Sequence, residues 1–280
     1  MLTKLIHLTL LELRFKNLIV DNKPNFIFIA EPWMHFNHFP RKWFHRLNFK
    51  PFAFNIRPND IPNLWCFCSN HLNPVIISTD SQQVTFTCVK NNQLFSISAI
   101  YASIDHIVRR QLWNTLQNLQ TNLNLPWCSI GDLTSIIGSH EHRGSLTPAR
   151  TLMTDFFDWS DSNNFIHLPT RGVQLTWSNG RNGNKHIERR LDRAICNQSW
   201  IDLCSSINVS TLVKHKSDHF PLLMEFDSSP KSFMSQFKFL QMWIHHADCK
   251  TMVQEAWDSN VDGCPMFILI KKDSKFSNRS

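Results

Sequence analysis

Apolar positions recur with two different periods along this chain, and each change of period marks an element. Leu5, Leu8, Leu11, Phe15, Leu18 and Ile19 fall at helical spacing and predict an amphipathic N-terminal helix packed on a sheet. Lys4, His7, Glu12, Arg14 and Lys16 interrupt its apolar run, so it lacks the clean apolar stretch of a secretory signal. Asp21-Asn22-Lys23-Pro24 breaks the chain. Phe26 to Ala30 is a short continuous apolar run, the pattern of a strand buried on both faces, and it ends at Glu31-Pro32. Residues 32–74 are rich in Trp, Phe, His, Asn and Pro with little periodicity. They predict loops and short irregular strands.

Beyond residue 74 the rhythm becomes regular. Val75 to Ser78 reads as a strand. Val84 to Val89 and Leu94 to Tyr101 flank Asn91-Asn92, a hairpin signal. Ile107, Trp113, Leu116, Leu119 and Leu123 give a second amphipathic helix over 104–123. Trp127 to Ile130 is another buried strand, stopping at Gly131-Asp132. Arg150 to Trp159 has helical spacing, with Leu152, Met153, Phe156, Phe157 and Trp159. Strands follow around 174–177 and 190–195, then a helical turn at 200–203 and a last strand pair at 209–213 and 222–226. Strands alternating irregularly with helices predict an α/β sandwich with mixed sheets. Asp227-Ser228-Ser229-Pro230 is a turn cluster, and residues 231–280 show no strand–helix rhythm. The domain is therefore expected to span 1–229, with 230–280 as a helical or irregular connector.

Composition narrows the class. The 280 residues are 42% apolar and 18% charged, ordinary for a globular chain that buries a core. No apolar run approaches 18 residues, which excludes a conventional helical membrane span. The net charge of +7 points mildly to a polyanionic partner. The eight Cys include one close pair, Cys66 and Cys68, too closely spaced for a zinc knuckle. They read as buried, reduced thiols of an intracellular protein. His245, His246 and Cys249 offer metal ligands but no second cluster completes four positions. The N-x-S sequons at Asn197, Asn208 and Asn278 read as coincidental.

The chemistry gathers at strand ends. Glu31 and Asp132 each follow a buried strand, Asp192 sits in Arg190-Leu191-Asp192-Arg193, and Ser217-Asp218-His219 precedes the last strand. An α/β sheet can collect such ends at one rim. Carboxylates gathered there repel one another unless a cation sits among them, and hard oxygen ligands favour Mg2+ or Mn2+. A His beside an Asp can act as a base or bind phosphate. Glu31 taken alone also reads as a solvated strand end, and Tyr101 as ordinary strand packing.

FIAEPW, IYAS, IGDLTS, LTWSN, ERRLDRAICNQSW and SDHFPL occur in that order over about 200 residues. With these motifs the chain resembles the endonuclease/exonuclease/phosphatase superfamily, and more narrowly the endonuclease part of plant LINE-type (non-LTR) retrotransposon proteins. Phe237-Lys238-Phe239, Trp243 and Trp257 resemble the connector towards reverse transcriptase, and no Tyr-Ala-Asp-Asp-like polymerase element occurs. The resemblance implies a DNase I-like, four-layer α/β/β/α sandwich with two mixed sheets and metal-dependent phosphodiester cleavage. It implies that Glu31 binds Mg2+ and that Tyr101 contacts phosphate. Asp132 would orient the attacking water, and Asp192 would pair with His219. Asp218 and His219 form the closing pair, Asp218 on the metal side and His219 at the scissile phosphate. Arg143, Arg189, Arg190, Arg193, Lys214 and Lys216 fit a DNA backbone track or, equally, a solvated basic face. The aromatics of 33–67 fit core packing better than base-stacking platforms.

Two departures set this chain apart from the pattern. Thr134, by this resemblance a substrate-binding position, stands where the family has Asn after Gly-Asp-x, and a hydroxyl cannot supply the same NH₂ donor. The family also starts with a strand that delivers another Asn, whereas this chain reads as beginning at the following helix. The expected function is therefore a truncated, impaired DNA endonuclease domain, nuclear if expressed. The alternative is a non-catalytic relic that at most binds nucleic acid. A third reading, a phospholipid or inositol phosphate substrate, is opposed by the LINE-like motifs.

Overall fold

A computed structural model describes residues 3–9, 15–32, 41–57, 61–145, 148–214 and 217–228, with 251, 254–255 and 257–258. In chain order its elements are β1 (Thr3–Thr9), α1 (Phe15–Asn22), β2 (Phe26–Ala30), α2 (Arg41–Arg46), β3 (Phe49–Phe54), β4 (Leu64–Ser69), β5 (Val75–Thr79), β6 (Gln83–Lys90) and β7 (Gln93–Tyr101). Next are α3 (His106–Leu123), β8 (Trp127–Asp132), β9 (His142–Gly144), α4 (Arg150–Ser162), β10 (Ile166–His167), β11 (Thr170–Arg171) and β12 (Trp177–Ser178). Then come β13 (Ile187–Arg189), β14 (Asp192–Cys196), α5 (Gln198–Leu203), β15 (Ser206–Thr211) and β16 (Leu222–Asp227). One sheet runs β11-β15-β16-β1-β2-β4-β3, a second runs β10-β14-β8-β7-β6-β5, and β12-β13-β9 form a small third.

The alternation of side chains along the strands sorts them into layers. Phe26, Phe28, Cys66 and Cys68 of the first sheet meet Phe86, Ile97, Cys128 and Ile130 of the second in one buried cluster. The intervening residues Ile27, Ile29, Trp65 and Phe67 face the other way, against Ile19 of α1 and Phe44 of α2. On the outer face of the second sheet, Ile100, Trp127 and Ile195 pack on Trp113 and Leu116 of α3 and Phe156 and Trp159 of α4. The result is helix, sheet, sheet, helix: a four-layer sandwich with both main sheets mixed. The Cys66-x-Cys68 spacing is thus the period of a strand. Burial pushes the Cys66 thiol well up and that of Cys68 to about 11, as suits inert core thiols.

The N-terminus differs from its sequence pattern. The expected leading helix is instead a strand, β1, followed by the shorter α1, so the first strand is not missing. β1 lies antiparallel to β16, with Thr3 opposite Phe226, and parallel to β2, with Leu5 opposite Phe26. The leucines fit a helical period, but β16 and β2 leave one slot between them, and filling it satisfies two ladders of backbone donors and acceptors. The sequence carries no Asn before Asn17, so the strand is present without the side chain expected of it. Residues 32–74 also hold more structure than their pattern suggests, because β4 is buried on both faces and shows no polar alternation. Of the strand expected at 174–177, only Trp177–Ser178 forms.

The chain divides into two compact units, Met1–Lys231 and Ser232–Ser280. All the sheets of the described residues belong to the first. The expected connector, and with it His245, His246 and Cys249, lies almost wholly outside the described residues. No helix among the described residues is long and apolar enough to cross a membrane.

Candidate active site

Three neighbouring strands of the second sheet end at one rim. Tyr101 of β7 pairs with Asp132 of β8, and Asp132 pairs with Asp192 of β14. Gly131 makes this approach possible: at φ 149 a Cβ there would stand 2.0 Å from the Ile100 carbonyl oxygen, so no other residue fits. From the first sheet, β2 delivers Glu31 to the same rim. Glu31 leaves the strand at φ 49, and its N–H donates to the Asn63 carbonyl at 2.8 Å. Its carboxylate accepts a hydrogen bond from the Tyr101 hydroxyl. Burial, then this bond, holds the phenol proton tightly, well above the usual tyrosine range.

His219 completes the rim. Its Nδ1 lies 2.8 Å from Asp192 Oδ2, and its Nε2 lies 3.9 Å from Asp132 Oδ2. Asp192 is itself oriented by Thr176, whose Oγ1 accepts the Leu191 and Asp192 N–H groups at 3.1 and 2.9 Å. All three charged groups are buried: His219 is 6% exposed, Asp132 2% and Asp192 1%. Burial disfavours the imidazolium, but the charge and hydrogen bond of Asp192, with Asp132 and Asp218 behind it, raise the His219 pKa to about 10. Burial raises Asp132 to about 7. His219 and the Thr134 N–H oppose that rise, while Asp192 and Glu31 add to it. An imidazolium held between carboxylates is a fixed donor.

Thr134 sits at φ 47, a strained conformation for a β-branched residue. Its N–H donates to Asp132 Oδ1 at 2.7 Å. Its hydroxyl donates to the carbonyls of Ala102 and Ser103 at 2.9 and 3.3 Å, so it is turned into the backbone. The expected substrate contact is therefore already engaged. Asp218 accepts the Trp177 indole N–H at 2.8 Å, and Trp177 forms a β-bridge with His219.

Glu31, Tyr101, Asp132, Thr134, Asp218 and His219 line one cleft of ≈ 340 Å³, together with Arg109, Trp177 and Arg189. The sequence pattern gives Trp177 a place on a strand and in the LTWSN motif but no role at the site, and gives Arg109 only a place on a helix. Arg109 is 6% exposed and donates to the Ser103 carbonyl at 2.8 Å. A buried Arg on an amphipathic helix is the signal that could have found it.

The basic residues separate. Arg193 is 1% exposed, its guanidinium joined to both oxygens of Glu141 at 3.1 and 2.7 Å and to the Ser135 carbonyl. It braces the loops beneath the rim and cannot reach a phosphate, which corrects its place on the DNA track. Arg190 is half-buried, 3.5 Å from Glu141, and shares that bracing role. Arg189 lines the cleft, Arg143 pairs with Glu188 at 2.9 Å on the surface, and Lys214 lies over the Phe220 ring. Lys216 lies outside the described residues. Trp65, Phe67, Phe44 and Phe49 are core, as their packing reading requires.

Among the described residues no group of three His, Cys, Asp or Glu closes into a metal cluster. The donors facing the cleft are the carboxylates of Glu31, Asp132 and Asp218, with no Cys and only one His among its lining residues. That is a hard oxygen set, the kind that suits Mg2+ with retained waters.

With two packed mixed sheets and acidic strand ends at one rim, the chain carries the DNase I-like fold of endonuclease/exonuclease/phosphatase enzymes. The endonuclease domain of TRAS1, a telomere-specific non-LTR retrotransposon, superposes with TM-score 0.61 at 15% identity, covering 80% of this chain and 98% of that one. The 3′-5′ exonuclease NExo from Neisseria meningitidis gives 0.60 at 14%, over 80% and 100%. The AP endonuclease LMAP from Leishmania major gives 0.61 at 13%, over 82% and 88%. A further structure of NExo, there a 3′ phosphatase, holds a product DNA hairpin. No family model matches the chain, and no curated protein matches it in sequence.

Proposed function

We propose that the cleft is the centre of a divalent-metal-dependent phosphodiesterase, a retrotransposon-derived DNA endonuclease domain working at a reduced rate. The observation that carries this reading is the meeting of Glu31, Asp132 and the Asp192–His219 pair in one cleft, from strands far apart in sequence. Asp192 fixes the His219 ring through Nδ1, which leaves Nε2–H to donate to a phosphoryl oxygen as charge builds there. Asp132, beside that nitrogen, accepts the proton of the attacking water. Glu31 and Asp218 would hold Mg2+ or Mn2+. When bound, the ion supplies charge neutralisation at the phosphate oxygens. The products are a nicked strand with a 3′ hydroxyl and a 5′ phosphate, in nuclear DNA. The rate is low because the Thr134 hydroxyl serves the backbone, and the loss of one preorganised donor costs roughly 10²–10³ in rate.

A supercoiled-plasmid nicking assay with Mg2+ and with EDTA tests the reading. The expected result is slow nicking that EDTA stops and His219→Ala abolishes. A second reading, a non-catalytic relic that binds nucleic acid, draws on the same Thr134 geometry. It is favoured if DNA is bound but neither the natural chain nor Thr134→Asn nicks it at any Mg2+ concentration.

A further inference from the structure

The proposed function leaves unused a basic groove on the far side of the first sheet. Arg41, Lys42, His45 and Arg46 of α2 line it with Lys50 of β3, around ≈ 670 Å³ of open space. Lys42, Arg46 and Lys50 carry the argument. From residue 32 to residue 59 the chain contains no Asp or Glu at all, so the segment brings no carboxylate of its own to this surface. α2 is pinned by Phe44, buried and stacked on Phe67 at 4.5 Å, so the cations ride on a fixed element.

The pattern is costly for a bare surface. Lys42 and Arg46 stand four apart on one short helix, where like charges repel. A polyanion laid along the groove removes that cost. Phe49, the aromatic residue among the described lining of the groove, is buried, so the described lining offers no exposed aromatic anchor for a bilayer.

The groove is also separate from the cleft. In register, Lys50 pairs with Cys68 and Cys68 with Phe26, at the opposite end of β2 from Glu31. Five strand residues at about 3.3 Å each put them roughly 16 Å apart along the strand, with two strand spacings across. We infer that this groove is a second, sequence-independent binding site for the phosphate backbone of a nucleic acid. It rests on the reading of the cleft as a nucleic-acid enzyme only for the choice of polyanion.

The test is binding of a labelled DNA duplex to the full chain by fluorescence anisotropy, in EDTA so that no cleavage occurs, across a salt series. Lys42→Gln with Arg46→Gln should weaken binding at low salt and make the slope of log K against log[salt] shallower by about 1.8, near 0.9 per lost phosphate contact. Lys50→Gln should lower the slope by about half as much. Unchanged affinity and slope in both variants, with circular dichroism showing both folded, overturns the inference. So does loss of binding to anionic vesicles or poly-glutamate with DNA binding intact. His219→Ala separates the two sites: it should abolish nicking, and in that background Lys42→Gln with Arg46→Gln should still make the slope shallower by the same amount. Slope loss in the Gln variants of a chain that never nicks supports the groove while the cleft reading fails.

Discussion

Thr134 and Gly131, close neighbours at the end of β8, show how single positions set the site. Thr134 holds a left-handed backbone with a β-branched side chain and steadies the loop through its hydroxyl. Asn tolerates that backbone better and restores an NH₂ donor. Thr134→Asn should keep the fold and raise the nicking rate by 10-fold or more (on the order of one preorganised donor). Thr134→Val keeps the shape, loses the hydroxyl bond, and should cost about 1 kcal/mol in denaturant unfolding. Gly131→Ala meets backbone, not a movable side chain, and should cost about 3 kcal/mol, the upper end of overpacking. A stability within experimental error of the natural chain would contradict the β7–β8 geometry. These residues are legible in the sequence because Gly-Asp at the end of an apolar run is a local signal. That the Thr134 side chain turns inward is not, since it depends on where Ala102 and Ser103 lie.

Among the elements, β1 is the one whose pattern and structure part company. Leucines at helical spacing describe the segment well in isolation, and only the slot between β16 and β2 decides against it. β1 is central in its sheet, so Ile6→Pro, which removes a ladder donor, should abolish cooperative unfolding. A helix lying on the surface would lose far less. Amide exchange gives a second readout: the β1 amides should be protected as strongly as those of β2. β4 escapes the pattern for the opposite reason, that burial on both faces erases alternation. The strands bearing Glu31, Asp132 and Asp192 are readable because each is an apolar run bounded by a carboxylate. Arg193 misleads because a sequence shows its charge and not its burial; Glu141, its partner, lies 52 positions away.

For the molecule as a whole, the buried charges set its response to acid. His167 has its pKa lowered to about 4, by burial first and by Arg193 next. Unfolded, it titrates near 6.5. The unfolded chain therefore binds more protons between these values, so this contribution is complete above about pH 6.5 and lost as pH falls towards 4. Asp132, raised to about 7 in the fold, takes up its proton early and opposes this loss over the same window, so the readout is a difference: between pH 6.5 and 4 the natural chain should lose more melting temperature, or gain less, than His167→Gln. The second compact unit makes a separate expectation: a chain ending at residue 229 should melt at the same temperature as the whole. A large loss would show that the first unit needs the residues beyond it. The central claim is that the cleft cleaves phosphodiesters through His219 with a divalent ion. The most direct measurement is the plasmid nicking rate of the natural chain, Thr134→Asn and Thr134→Asn with His219→Ala, with Mg2+ and with EDTA. The account predicts slow nicking by the first, faster nicking by the second, and none by the third or in EDTA. Nicking that persists without His219 or in EDTA, or no nicking even by Thr134→Asn, would contradict it.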